Sequence, residues 1–227
     1  MKVAIFKGKI IIRRTILECL NLKSIKNFID GVDLESSIIS SVKELDDDVL
    51  EIVNYYNAII LTESIKTPII NKYKTLETLG NDRLAAIVGA IFLFPDQDVL
   101  VFDSGTCLTI DFINSKQQYL GGRISPGIDM RFKSLYNFTD KLPLLNQQKK
   151  VKYIGDDTES SIISGVQQGI LSEVKDVISG YKSCNSNTMI VFTGGDSIFF
   201  EKELKNSIFA EPNLVLIGLN EILDYNE

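Results

Sequence analysis

The 227-residue sequence contains no histidine, which removes Ser-His-Asp and Cys-His nucleophilic sites and His-ligated metal centres together. Acid–base chemistry must fall to Asp, Glu, Lys, Tyr or Cys. Cysteine is scarce: Cys19, Cys107 and Cys184 are far apart, odd in number and form no Cys-x-x-Cys pair. Neither a disulfide framework nor a zinc knuckle is expected, and each is read as a reduced packing residue. No apolar run reaches the roughly 18 residues of a membrane span. The opening MKVAIFKGKIIIRR also lacks the apolar core and small-residue cleavage site of a signal peptide, so a cytoplasmic protein without a membrane partner is expected. Lys and Arg never run beyond a pair, and the formal net charge is -6; nucleic acid is therefore not an expected partner, and small molecules suit the chain better.

What is present is a chain with 44% hydrophobic residues, enough for one large core or two small ones fused together. From residue 98 onward, DVLVFDSGT, LTIDFIN and QYLGGRIS predict a three-stranded antiparallel meander. GIDMRFKSLYNF and TESSIISGVQQGILSEVKDVISGYK follow with helical spacing, TMIVFTGG reads as a buried strand, SIFFEKELKN as a helix, NLVLIG as a strand and LNEILDY as a final helix. The first half nearly repeats this order. KVAIFKG and KIIIRRTI predict a hairpin, then ESSIISSV a strand, DDDVLEIVNYY a helix, NAIILTE a strand and NDRLAAIVGAIFLF a helix. It is one strand short, because nothing before Lys2 can match the strand that ends in DSGT. The repeated βββαβαβα order resembles the actin-like, sugar-kinase and heat-shock ATPase superfamily. That resemblance implies an α/β protein with a duplicated RNase H-like fold, two lobes around a central cleft that takes nucleotide, divided here as residues 1–95 and 96–227.

Three glycine-bearing turns carry candidate chemistry. In VLVFDSGTCLTIDF, Asp103, Gly105 and Thr106 sit between two apolar strands, where glycine lets backbone approach a phosphate, amides and the Thr hydroxyl donate to it, and the Asp holds a cation. An ordinary hairpin uses the same residues. Asp111 is read as a solvated or capping carboxylate. TGGDS, with Gly194 and Gly195 between a strand and a helix, suits a nucleotide lying on backbone beside a helix N-terminus, and equally a plain turn. GGRISPGI reads as a structural turn before a helix. In YKTLETLGNDRLAAIVGA, Asn81 is a predicted N-cap and Asp82 falls in the first turn of a helix with an apolar face of Leu84, Ile87, Val88 and Ile91. A first-turn Asp can simply complement the helix dipole. The functional alternative is a carboxylate held rigidly to accept a substrate alcohol's proton, with Arg83 meeting an anionic substrate group.

YKTLETLGNDRLA, FDSGTCLTIDF, YLGGRISPGIDM, DTESSIISGVQQG and TGGDS, in this order and spacing, resemble the type III pantothenate kinases over nearly the whole chain, Lys2 to Tyr225. The most specific pair is G-x-D-R followed by D-x-G-T. The resemblance implies ATP-dependent phosphorylation of pantothenate to 4'-phosphopantothenate, the first step toward coenzyme A, by a homodimer. It implies Asp82 as general base, Tyr73, Gly80, Asn81, Arg83 and Thr158 as pantothenate contacts, and Asp103 as the ligand of an activating potassium or ammonium ion. Gly105, Thr106, Gly194 and Gly195 would serve ATP, which arrives with Mg2+.

Some positions depart from the family pattern. The family opens with an Asp-x-Gly-Asn-Thr phosphate turn ahead of a stretch like KVAIFKG, and this chain starts beyond it, at Met1-Lys2; a misassigned start or a truncated sequence is the expectation. Leu76 stands where proline is usual and is expected to loosen the loop under Tyr73, while Cys107 and Leu108 replace small or hydroxyl residues after D-x-G-T. The rival readings are a catalytically inactive member acting as a ligand-binding or regulatory module, and a kinase for another small alcohol.

Overall fold

Lys2–Lys7 (β1) and Ile10–Ile16 (β2) fold back as an antiparallel hairpin because Gly8 at the turn takes φ +56°, which costs glycine little. They open a computed structural model that describes residues 1–41, 45–204 and 208–227. Its chain divides into two compact units. One holds Met1–Asp96, Lys116–Leu120 and Asn213–Glu227, the other Gln97–Ser115 and Gly121–Pro212. The chain first leaves unit 1 after Asp96, and the C-terminal helix is packed in unit 1, not with residues 97–115.

In unit 1 the hairpin is followed by Leu22–Ile29 (α1), whose Asn21 cap and Ser24 form a reciprocal capping box. Ile38–Ile39 (β3) then pairs in parallel with Ile59–Ile60 (β4) across Asp47–Tyr56 (α2), which is capped by Asp46. Val42, the last residue of the predicted strand ESSIISSV, lies outside the described residues. Ile70–Asn71 (β5) and Asn81–Leu93 (α3) come next. β5 pairs in parallel with Gln118 and Tyr119, the first residues of Gln118–Pro126 (β8). Neither α1 nor β5 was anticipated: one is a short amphipathic helix of about two turns, the other a two-residue ladder.

Unit 2 is built on Val99–Ser104 (β6), which pairs antiparallel with Cys107–Ile113 (β7) and parallel with Met189–Thr193 (β9). Phe209–Ala210 (β10) adds in parallel to β9, giving the order β10-β9-β6-β7-β8. VLVF in β6 is buried on both faces because β6 is central. Ile128–Asn137 (α4), Thr158–Cys184 (α5) and Ser197–Leu204 (α6) supply the rest, and Lys205 and Asn206 of the predicted helix SIFFEKELKN fall outside the described residues. The core gathers Phe102, Phe132, Ile170, Phe192 and Phe200, with Phe102 and Phe192 stacked at 4.5 Å. The meander, the long helix and the strand order agree with the α/β pattern read from the sequence.

The two units differ in how their strands are joined. Unit 2 joins β7 and β9 through β6, whereas in unit 1, among the described residues, no ladder joins β1 to β3. Both of those strands instead contact Leu214–Tyr225 (α7).

α7 is also a correction. NLVLIG was read as a strand and LNEILDY as a separate helix; the structure makes them one helix from Leu214. A short apolar run does not distinguish the two by itself, and the deciding contact is tertiary. α7 lies backbone against backbone on α3: a Cβ on Gly218 would stand 1.7 Å from the Ala85 carbonyl oxygen, and one on Gly89 would stand 2.4 Å from that of Leu214. Lys9 at the hairpin turn bonds Glu221 and Asp224 of α7 at 2.6 and 2.7 Å, tying β1 and β2 to the same helix.

Candidate active site

α3 begins without a side-chain cap: Gly80 is the N-cap and its carbonyl accepts from Leu84 at 3.1 Å. Asn81, predicted as the cap, is instead the first helical residue. Its amide donates to the Leu61 and Ser41 carbonyls at 2.9 and 3.3 Å, so it joins the start of α3 to the segments that follow β4 and β3. Its nitrogen is thus committed to backbone, which leaves only its oxygen for a ligand.

Asp82 follows in the first turn, with Oδ1 accepting from the Arg83 backbone N–H at 2.8 Å and the positive end of the helix dipole behind it. Gly80 has a specific task here, since a Cβ at that position would come within 2.6 Å of Asp82 Oδ1 and displace the carboxylate. Arg83 is buried at 5% exposure and lies 5.4 Å over the Tyr73 ring, an arrangement that cation–π attraction favours. Tyr73 in turn stacks at 5.9 Å on Tyr119, which is fully buried. Tyr73, Gly80, Asn81, Asp82 and Arg83 are therefore brought together in unit 1. From Arg83 to Ala90 the helix is buried on all sides, more completely than the expected single apolar face, with Ile91 only half-buried. The loop under Tyr73, expected to be loosened by Leu76, closes as a 3-10 turn over Leu76–Thr78 with Thr78 Oγ1 on Thr75. Tyr119 was missed, although its position in a strand next to the Tyr73 segment is not legible without the β5–β8 pairing.

In unit 2 the turn Asp103–Thr106 is enclosed by two others. Gly194, at φ +89°, sits where a Cβ would meet the Ser104 carbonyl at 2.2 Å and Asp103 Oδ1 at 2.5 Å. Gly127 sits where a Cβ would meet the Gly105 carbonyl at 2.1 Å, and its N–H donates to Thr106 at 3.1 Å. Asp103, Gly105, Thr106 and Gly194 are thus gathered, with Gly195 next to them and open. A cavity of ≈ 500 Å³ opens beside the turn, lined by Gly105, Thr106, Asp129, Lys133, Asp196 and the C-terminal end of α4. Asp129 and Lys133 were not singled out from the sequence, though their i,i+4 spacing on α4 was a readable signal. Thr158 opens α5 above the Asp157–Ser160 capping box and lines a second cavity with Leu135, Leu142, Gly155 and Ile162. Asp111, read as a solvated or capping carboxylate, is 2% exposed and so not solvated. Gly122 makes this possible, since a Cβ there would stand 2.5 Å from Asp111 Oδ1.

Among the described residues no three His, Cys, Asp or Glu side chains form a metal cage. The oxygen donors at the turn are nonetheless of the kind that hard cations shared with phosphate take: the Asp103 carboxylate and the Ser104 carbonyl lie together against Gly194, and Asp129 and Asp196 line the cavity. Burial pushes the Asp196 carboxyl above its ordinary range, opposed by the Ser104 hydroxyl at 3.3 Å and reinforced by the Asp129 charge. A carboxyl raised in this way binds its proton more tightly folded than unfolded. Its contribution to stability is present below the ordinary carboxylate pKa and is lost as pH rises through the raised value. Asp196→Asn is therefore expected to raise Tm at pH 7, with the gain shrinking toward about pH 4; thermal melts at several pH values check this, and a gain that grew on acidification would contradict it.

The family described as type III pantothenate kinase matches residues 12–180. A type III pantothenate kinase of Christiangramia forsetii is 46% identical over 195 residues, covering 86% of this chain and 80% of that protein. One from Bacteroides fragilis is 40% identical over 227 residues, covering 99% and 93%. Among solved structures, a conserved Baf family protein from Campylobacter jejuni superposes with a TM-score of 0.63 at 26% identity, covering 91% of this chain and 89% of that one.

Proposed function

The chain belongs to the type III pantothenate kinase family, and from that premise we infer that it transfers the terminal phosphoryl group of ATP to the primary alcohol of pantothenate, the first step toward coenzyme A. The observation that carries the reading is the intact Gly80-Asn81-Asp82-Arg83 turn at the head of a buried helix. Phosphoryl transfer leaves the protein little covalent work, so its contribution is alignment and neutralisation of charge. Asp82 accepts the alcohol proton; a carboxylate suffices because that proton leaves late. Arg83, its face on Tyr73, meets the pantothenate carboxylate. Gly80 and the oxygen of Asn81 complete the substrate contacts of unit 1, and Thr158 is carried over from the family as a further pantothenate contact.

Gly105 and Thr106 donate to ATP phosphate, with Gly194 and Gly195 alongside the nucleotide. Asp103 would hold a potassium or ammonium ion, and Asp129 and Asp196 would hold the Mg2+ of ATP; these ions would neutralise phosphate charge. A homodimer is supported by the exposed apolar side chains Phe138 (88%), Tyr153 (81%) and Ile154 (79%), which a partner would cover. No helix among the described residues is long and apolar enough to cross a membrane.

A second reading, a ligand-binding member without catalysis, draws on the absence of a ladder between β1 and β3 among the described residues. The test is ATP- and potassium-dependent phosphorylation of pantothenate by the 227-residue chain, beside the same chain with a strand and an Asp-x-Gly-Asn-Thr turn fused ahead of Lys2. Turnover by either form supports the kinase, while pantothenate or nucleotide binding with no turnover in both forms supports the second reading.

A further inference from the structure

Arg131 is placed against expectation: it lies in the first turns of α4, where the helix dipole disfavours a cation. The side chain turns back past the helix start. Its Nε donates to the Pro126 carbonyl at 2.8 Å and its Nη2 to Ser125 Oγ at 3.3 Å, and Nη2 is also paired with Glu173 of α5. The guanidinium fork thus offsets the dipole with a carboxylate and pins Ser125–Pro126, the last residues of β8, to α5.

What those residues support is the phosphate-side turn. Gly127, next in the chain, donates its N–H to the Thr106 carbonyl at 3.1 Å and lies so close to the Gly105 carbonyl that a Cβ would approach within 2.1 Å. A shift of Pro126 is therefore transmitted directly to Gly105 and Thr106, because no side chain intervenes to absorb it. Arg131 does not line the cavity beside that turn, whereas its helix neighbours Asp129, Met130 and Lys133 do.

We propose that Arg131, braced by Glu173, is a positioning residue that holds the Gly105–Thr106 turn in register for nucleotide phosphate. The proposal rests on the reading of that turn as the ATP site and adds residues that touch neither substrate. Arg131→Ala is expected to raise KM for ATP and the Kd for ADP by roughly tenfold, the scale of one lost charge-assisted contact, while KM for pantothenate stays within about twofold. Arg131→Lys keeps the charge but cannot span Pro126 and Glu173 at once, so it falls between. Glu173→Gln, which keeps a hydrogen bond to the fork, shows a smaller loss with the same ATP-selective signature.

ADP calorimetry, steady-state kinetics and thermal melts on the full chain separate the outcomes. A lowered Tm with unchanged ADP affinity, or equal changes in both KM values, overturns the proposal by making the fork a general brace. Should Arg131→Ala not fold, the Lys and Gln variants carry the same decision. ADP binding without phosphorylation of pantothenate, both by the wild-type chain and by the form extended ahead of Lys2, sinks the assigned activity and leaves the role of Arg131 to be decided by calorimetry; a chain that binds no nucleotide in either form sinks both.

Discussion

Replacing Asp82 with asparagine is expected to lower kcat by roughly 10²–10⁴-fold, the range that general-base assistance supplies, with pantothenate affinity nearly unchanged. Asparagine has almost the same shape, keeps an oxygen to accept the Arg83 N–H that now bonds Asp82 at 2.8 Å, and removes only basicity and charge. Steady-state kinetics should therefore show the loss in kcat, and calorimetry with pantothenate should show little change. If kcat falls less than about tenfold, the carboxylate is a helix-dipole partner and not the base. Gly80→Ala provides a complementary disturbance, because its methyl would come within 2.6 Å of the Asp82 carboxylate and turn it aside.

The second large effect is expected at Gly218, far along the sequence from any candidate catalytic residue. Gly218→Ala would place a methyl 1.7 Å from the Ala85 carbonyl oxygen and 2.8 Å from the Gly89 nitrogen. These are backbone atoms of a buried helix, so relief requires α3 and α7 to separate. A loss of about 3 kcal/mol or more is expected, at or above the usual upper end for overpacking, which for a chain of this size corresponds to a fall in Tm of about 6–12 °C. Activity should fall with it at temperatures where the protein remains folded, because α3 carries Asp82 and Arg83 at its head. Gly169→Ala on the exposed face of α5, where nothing lies within 4 Å of the added methyl, is the control and should be neutral or stabilising by about 0.5–1 kcal/mol. Equal melting temperatures for the two variants would remove the α3–α7 contact from the account.

Much of the candidate site was legible because the residues proposed for its chemistry are adjacent in the chain. Gly80 to Arg83 occupy one turn, and Asp103 to Thr106 one strand end, so local rules for helix starts and glycine turns reach them. The missing histidine narrowed acid–base chemistry to Asp, Glu, Lys, Tyr or Cys before any geometry was known. The βββ, helix and alternating strand–helix order of the second half could likewise be read from period and length.

Tertiary structure decided what depended on distant partners. Asn81 looked like a cap, and the Leu61 and Ser41 carbonyls made it a tether; Asp111 looked like a solvated or capping carboxylate, and the bare backbone of Gly122 gave it a buried place. Asn213 to Gly218 looked like a strand, and close approach to Ala85 and Gly89 made it the first turns of a helix in the other unit. Arg131 carried no motif at all, since its meaning comes from Glu173, 42 residues away, and from the turn that Pro126 supports. The sequence alone settled which groups are available for chemistry and the local turns that present them, because these follow from neighbouring residues. Burial, helix partnership and second-layer bracing were settled only by the fold, because each depends on which backbone happens to lie within contact distance.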